Sequence, residues 1–494
     1  MRALMIQGTS SDAGKTTIVT GLCRLFANRG LRVAPFKSQN MALNSFVTKD
    51  NREIARATAT QAMAARQEPS VHMNPLLLKP KADDIAQLIV HGRSMGDVSA
   101  RDYFMSDKLQ PTKLAAIRES IAYLRQNFDL IVAEGAGSCA EPNLRALDVV
   151  NMGVAHELGA KVLIVSDLAN GGAFASLLGS IEVMRQTNPE DLGLIGGFIL
   201  NKFRGDSAVL APGLEFIARA TGYPVVGVLP YLNDLRFEEE DRVKDYGCDH
   251  PEIDIAVVYL PHISNANDFD FLAAEKNVQV RFVKSVEALG LPDAIIIPGT
   301  KNTPWDLGYL RDSGLAGKIE EMSASIPVVG ICGGFEMLGR KLLDPLHVES
   351  DLGTTEGLNL LDVDVEFLRD KTLVNREYEP DSNSLFASVG TVSGYEIHCG
   401  IVRRRHCSPL FRYDGGSDGA IHPEKLIFGT FIHDLFKNDR FTRTFINLLR
   451  KKRGLRPLEG PFPRLRDIID ENCDTFARIL ADNLSPGSLA LSTL

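Results

Sequence analysis

The chain is poor in the features that mark several large protein classes. Its seven cysteines are too few for 494 residues to form a disulfide framework, and no two stand in a C-x-x-C pair, which argues against a structural zinc site. No apolar run reaches membrane length. The start, Ala3-Leu4-Met5-Ile6 leading straight into a glycine loop, lacks a basic-then-apolar leader. Basic residues are not in excess either, and the net charge of -9 argues against general nucleic-acid binding. Tryptophan occurs once, at Trp305, where packing is its expected role, and repeats and low-complexity tracts are missing. These absences leave a protein expected in the cytoplasm with reduced thiols and with neither membrane nor nucleic acid as a partner. They say nothing of oligomeric state.

The hydrophobic share is 44% and the charged share 24%, as in a soluble globular protein, and the length favours two or three domains. Short apolar runs at Ala3–Ile6, Leu31–Pro35, Leu130–Ala133, Val162–Val165, Ile195–Leu200 and Val225–Leu229 alternate with helical patterns such as Ile18–Arg29. That alternation predicts an α/β fold with a parallel sheet covered on both faces. A charged stretch from Asn233 to Pro251 reads as a connector. A second α/β series follows, with strands expected at Ile253–Tyr259, Ala294–Pro298, Val328–Ile331 and Leu426–Ile432, β-type segments from Gly353 to His398, and a helix at Phe441–Arg453. The expected division is 1–233, a linker 234–250, 251–453 and a tail 454–494, weakly helical and without order in its last ten residues.

Two motifs carry chemistry. The first is the loop Gly8-Thr-Ser-Ser-Asp12-Ala13-Gly14-Lys15-Thr16-Thr17 between a strand and a helix. Backbone N–H groups in such a loop cradle phosphates, Lys15 brings charge, and Thr16 can bind Mg²⁺. ATP and Mg²⁺ are therefore the expected cofactors. Glu134, at the carboxyl end of an expected central strand, faces the ligand crevice of a parallel sheet and is a candidate metal ligand. Asp50 is a further metal candidate. Asn201, at the end of another strand, either reads the adenine edge or caps a turn.

The second motif is Val328-Val-Gly-Ile-Cys332-Gly333-Gly-Phe-Glu336. A strand, a glycine-flanked turn and a helix start would expose a thiol and favour its thiolate. His433, after the expected strand Leu426–Ile432, is the candidate base, and the N–H groups of Gly333 and Gly299 are candidate oxyanion donors.

Several longer stretches make the chain resemble the glutamine-hydrolysing amidotransferases of corrin biosynthesis, the cobyric acid synthases most closely. They are Lys37–Asn44, Met73–Pro80, Asp148–Met152, Gly197–Asp206, Val228–Tyr231, Leu260–Asn265, Pro298–Thr303 and Gly394–His398. The resemblance implies a dethiobiotin-synthetase-like P-loop domain followed by a class I glutaminase domain. It implies that acyl phosphates form on carboxylates b, d, e and g of adenosylcobyrinic acid a,c-diamide and are amidated by ammonia from glutamine. It places Lys15, Thr16 and Glu134 in the ATP site and Cys332 and His433 in the glutaminase site. Glutamine and a corrinoid would be the small-molecule partners. Lys37, Gln39, Asn40, Lys79 and Glu336 are substrate candidates, and Lys81, Lys202 and Arg204 are further cations that could face a polyanion.

Two departures from the family pattern matter, at Glu336 and at Asp167–Gly172, and Ser138-Cys139 and Pro142 also differ locally. Glu336 replaces a glutamine, so a charge is expected where an amide would contact substrate. Asp167-Leu-Ala-Asn-Gly-Gly172 lacks an acid and a basic residue. Leu435 stands where many related glutaminases have a glutamate, as is usual in the corrin branch, which leaves the third member of the Cys–His site unassigned. Two alternatives stay open: the sister ligase that makes the a,c-diamide, and a regulatory nucleotide-binding protein with a degenerate glutaminase.

Overall fold

A computed structural model describes residues 2–82, 84–106, 108–232, 243, 245–275, 277–460, 462 and 465–489. The chain forms two compact units: Met1–Ala42, Glu53–Glu240 and Arg466–Leu494 make the first, and Leu43–Arg52 with Asp241–Leu465 the second. Most of the expected connector, residues 233–242 and 244, lies outside the described residues.

Unit one is built on a six-stranded parallel sheet in the order Val225–Pro230, Ile195–Phe203, Lys161–Asp167, Arg2–Gly8, Leu130–Glu134, Val33–Phe36. Helices Lys15–Asn28, Leu109–Asn127, Met152–Leu158, Ala173–Thr187 and Ser207–Thr221 lie between successive strands, as parallel pairing requires. Burial on both faces explains the unbroken apolar runs. In the first strand Ala3 and Met5 enter one core cluster, while Leu4 and Ile6 enter the other. Since all six strands point the same way, Gly8, Glu134, Asp167 and Asn201 gather at one edge of the sheet. A second sheet, Gln39–Met41, Leu76–Ala82, Ile85–Val90 and Arg93–Ser99, was not apparent from periodicity.

The tail supplies an ordered helix, Leu465–Asn483, followed by a single turn at Pro486–Leu489. Phe476, Leu480 and Leu484 join Ile18, Leu22 and Phe26 in one core cluster. The approach is close enough that a Cβ at Gly21 would stand 2.5 Å from Phe476 Cδ1. Arg24, only 1% exposed, is paired with Asp470 and lies 3.8 Å from Asp474.

Unit two repeats the parallel theme with Val278–Val283, Ile253–Val258, Ala294–Ile297, Val328–Ile331 and Ile427–Thr430, and Ala420–Ile421 closes the edge antiparallel. A second sheet contains the long hairpin Val363–Pro380/Val392–Arg404, where β-type segments were expected. The run Leu426–Ile432, read as one strand, is divided. Ile427–Thr430 pairs in the parallel sheet, whereas Ile432–His433 crosses to pair with the hairpin strand at Tyr395 and Glu396. Both sheets claim part of the same apolar run, and the change at Phe431 delivers His433 to its site. Trp305 is not packed away: it is 53% exposed, with its ring against His262. Among the described residues no helix is long and apolar enough to cross a membrane.

Candidate active site

The phosphate loop joins the central strand Arg2–Gly8 to helix Lys15–Asn28. Gly14, at the helix start, has φ 98°, and a Cβ there would lie 2.1 Å from Asn201 Nδ2. Only glycine meets both demands. Asn201 donates its amide to Ala13 O at 2.9 Å, so in this structure it clamps the loop. Lys202 adds a second clamp, donating to Asp12 O at 2.7 Å and to Asp167 Oδ2 at 2.8 Å. Asp167 also accepts from Ala169 N, which gives the divergent 167–172 segment a structural anchor.

Lys15 is buried, its ammonium donating to Ser10 O at 2.8 Å and Gly137 O at 3.0 Å across the mouth of the loop. Thr16 Oγ1 donates to Glu134 Oε1 at 2.8 Å, and Lys37 Nζ donates to the same oxygen at 2.9 Å. Gln61 Nε2 binds the other carboxylate oxygen at 2.5 Å. Thr17 is the next residue of the helix. A hydroxyl and a carboxylate in contact suit Mg²⁺, which prefers oxygen donors and takes few of them from protein when phosphates supply the rest. Among the described residues no group of three or more His, Cys, Asp or Glu side chains forms a self-sufficient metal cage. Asp50 belongs to segment 43–52 of unit two, where it accepts from Thr48 Oγ1.

The substrate candidates have varied surroundings. Lys37 and Lys79 are buried ion-pair partners of Glu134 and Glu53, each at 2.9 Å. Gln39 accepts from Tyr103 OH, and Asn40 is buried. Lys81 pairs with Asp97, and Arg204 lies over the Tyr231 ring.

In unit two, Cys332 stands between strand Val328–Ile331 and helix Gly333–Leu338 with φ 51° and ψ -114°. A non-glycine residue held there costs about 1–3 kcal/mol, which surrounding packing must offset. The packing is tight: a Cβ at Gly334 would meet Ile297 O at 1.9 Å, and one at Gly330 would meet Gly334 at 2.7 Å. Cys332 N donates to Thr430 O at 2.8 Å, and Sγ approaches Ile397 O at 3.6 Å. A Cβ at Gly333 would sit 3.1 Å from Thr300 N, and one at Gly299 would sit 3.3 Å from His433 Cε1. The two candidate oxyanion donors therefore lie on adjoining segments beside the imidazole.

His433 is fully buried. Its Nδ1 is 2.7 Å from Asp268 Oδ2, and Asp268 Oδ1 accepts from Asp434 N at 3.0 Å. The Tyr395 ring stacks on the imidazole at 5.1 Å. Burial works to lower the His433 pKa, but the Asp268 carboxylate and the hydrogen-bonded Cys332 sulfur outweigh it and push the value up to about 10. The thiol is thus enclosed but has an imidazole in reach, and Asp268 is the carboxylate paired with that imidazole. Leu435, at the position where many glutaminases have a glutamate, is instead buried in the turn Leu435–Lys437. Asp268 escaped the sequence reading because it lies far from His433 in the chain, in a short 3-10 turn, Ala266–Phe269. Its one signal was proximity to the family-like stretch ending at Asn265.

Glu336 departs from its expected charge. It is buried against Gly400 and accepts from Thr303 Oγ1 at 2.7 Å. Burial pushes its carboxyl up to about 8, against the opposing hydrogen bond from Thr303 and with smaller effects of Glu349 and Lys301. A neutral carboxyl has one donor and a carbonyl acceptor, as an amide side chain does in part.

The family described as a CobQ/CobB/MinD/ParA nucleotide binding domain matches residues 4–243, and that described as a CobB/CobQ-like glutamine amidotransferase domain matches 254–441. The chain is 44% identical to the probable cobyric acid synthase of Methanothermobacter thermautotrophicus, over 96% of this chain and 97% of that protein. It is 46% identical to the cobyric acid synthase of Pelotomaculum thermopropionicum, over 92% and 88%. With the cobyric acid synthase of Caldanaerobacter subterraneus subsp. tengcongensis the identity is 43%, over 97% and 96%.

Two outcomes are expected from this geometry. Asp268→Asn leaves the imidazole without its counter-charge and lowers kcat for glutamine hydrolysis on the order of 100-fold or more, read as glutamate release at saturating glutamine. For Glu336, the folded chain holds its proton more tightly than the unfolded chain. Its contribution to stability is full below the ordinary value of 4.5 and is lost as pH rises through about 8. Thermal unfolding should therefore show Glu336→Gln gaining on the parent protein as pH rises from 4.5 to about 8, and a gap that does not change over that range would contradict the neutral acid.

Proposed function

Because the chain belongs to the cobyric acid synthase family, we propose that it amidates carboxylates b, d, e and g of adenosylcobyrinic acid a,c-diamide, using glutamine and ATP. The observation that carries this reading is the presence in one chain of a Thr16–Glu134 pair at a phosphate loop and a Cys332–His433–Asp268 set at a strained turn.

A carboxylate resists ammonia because oxide is a poor leaving group. Transfer of the γ-phosphoryl group to the carboxylate makes an acyl phosphate. Ammonia then attacks the carbonyl carbon and inorganic phosphate departs. The first unit's task is positioning and charge stabilisation. The loop N–H groups hold the phosphates, Lys15 turns its ammonium to them, and Lys37 orients the acceptor carboxylate. Mg²⁺, when held by Thr16 and Glu134, supplies further neutralisation of phosphate charge. Gln39, Asn40 and Lys79 are assigned to the polar lining of the corrinoid site.

At the second site the Cys332 sulfur attacks the side-chain carbonyl carbon of glutamine. The oxyanion is received by N–H groups of Gly333 and Gly299. His433 gives its proton to the departing ammonia, and then takes one from the water that cleaves the thioester to glutamate. Asp268 keeps the ring oriented and balances its charge through both steps. The seven free thiols and the use of ATP suit the cytoplasm.

Cys332→Ala is expected to abolish amidation driven by glutamine and to retain it with ammonium chloride at high pH. Equal loss with both nitrogen sources would contradict the division of labour. Lys15→Ala should lose amidation with either source by about 100-fold or more, while glutamate release continues at the rate seen without ATP. Undiminished amidation would remove Lys15 from the phosphate site.

A further inference from the structure

Residues 43–52 lie in the sequence of the first unit but belong to the second. The chain on both sides, Gln39–Met41 and Glu53–Ala55, remains in the first. Within unit two this excursion reaches the groups that hold His433. Ser45 N donates to Asn265 Oδ1 at 2.8 Å, and Ala266 N donates to Asn44 Oδ1 at 3.3 Å. Asn265 has φ 54° and starts the 3-10 turn that carries Asp268, and its side-chain nitrogen lies 3.3 Å from His433 Nδ1. Tyr395, stacked on His433, donates its hydroxyl to Ser45 O at 2.9 Å. Val47 packs with Tyr395 and Ile397, whose carbonyl faces the Cys332 sulfur. Asn375 fastens the far end, donating from its side chain to Val47 O at 2.7 Å and from its backbone to Asn51 Oδ1 at 3.0 Å.

The same stretch of chain begins beside Glu134. Lys37 is paired with Glu134, the carboxylate that also receives Thr16. Between Lys37 and Ser45 the chain is largely buried and well tied. Ser38 Oγ donates to Val149 O at 2.6 Å, Asn74 donates to Lys37 O at 2.9 Å, and Gln39–Met41 pairs in register with Leu76–Leu78. A buried, hydrogen-bonded strand has little slack in which to absorb a displacement at one end.

We propose that residues 43–52 are a coupling segment: through Ser45, Asn44 and Val47 they position Asn265, Tyr395 and thereby His433, so that glutamine hydrolysis follows the state of the Lys37–Glu134 end of the same chain. When ATP and the acceptor carboxylate engage Lys37 and Glu134, the strand sets the segment, and the segment sets the imidazole. Ammonia is then released when an acyl phosphate can take it up. Asn44, Ser45 and Tyr395 are positioning residues in this scheme. The scheme rests on the amidating function proposed above.

The test uses the full chain, with glutamate release measured alone and with ATP, Mg²⁺ and adenosylcobyrinic acid a,c-diamide. Amidation from ammonium chloride is measured alongside. The parent protein is expected to release glutamate at least tenfold faster with the acceptor and ATP. Asn44→Ala, and separately Tyr395→Phe, which keeps the ring and removes only the hydroxyl, should bring that ratio below threefold, with ammonia-driven amidation within twofold of the parent. A loss of packing alone would lower both activities together and leave the ratio unchanged. An unchanged ratio in both variants overturns the proposal, as does a parent protein whose glutaminase ignores ATP and acceptor while ammonia-driven amidation proceeds. A parent protein that fails to amidate the a,c-diamide even from ammonia overturns the functional reading itself. The alkylation rate of Cys332 by iodoacetamide, with and without ATP and acceptor, gives a second readout, and an acceptor-dependent change retained in both variants would also sink the coupling segment.

Discussion

A positive charge inside a protein core is tolerated only when something nearby compensates it, and His433 is the case on which unit two is organised. The ring is sealed from solvent, yet held protonated by Asp268 on one side and the sulfur of Cys332 on the other. Each participant arrives by a different route. Asp268 comes from a 3-10 turn after the first strand, Cys332 from a turn no ordinary side chain enters freely, and His433 from a chain that leaves one sheet for another at Phe431. Tyr395 closes the remaining face of the ring. The strain at Cys332 and the close glycine contacts behind it are the structural cost of bringing these groups together.

In unit one the corresponding constraint is the crowding around Glu134. A single buried carboxylate accepts from Thr16, Lys37 and Gln61, and so ties the phosphate loop, the strand that leads toward segment 43–52, and a helix to one point. Asn201 and Lys202 hold the other side of the loop. The loop is thereby shaped by side chains from neighbouring strands as well as by its own glycines.

Legibility in the sequence followed the range of the interactions. Runs such as Val328–Ile331 and Val162–Val165 announce themselves because burial on both faces of the sheet excludes charged side chains from them. The phosphate loop and the cysteine turn are local, so their glycines and reactive residues stand together in the chain. The Asp268–His433 contact spans two distant turns and leaves no local pattern. That Asp50 stands in a stretch belonging to unit two is likewise invisible from sequence position. The charge expected at Glu336 failed for a related reason: whether a carboxyl ionises depends on how completely neighbours such as Gly400 and Thr303 remove water from it. The helix Leu465–Asn483 was faint because its apolar face answers to a partner at the opposite end of the sequence.

That last helix has a bearing on biosynthesis. Ile18, Leu22 and Phe26 are covered by Phe476, Leu480 and Leu484, and Arg24 by Asp470. During translation all of unit two emerges before this cover exists. At about 5–20 residues per second, the nascent first unit carries an open apolar face for many seconds, until the closing helix is made.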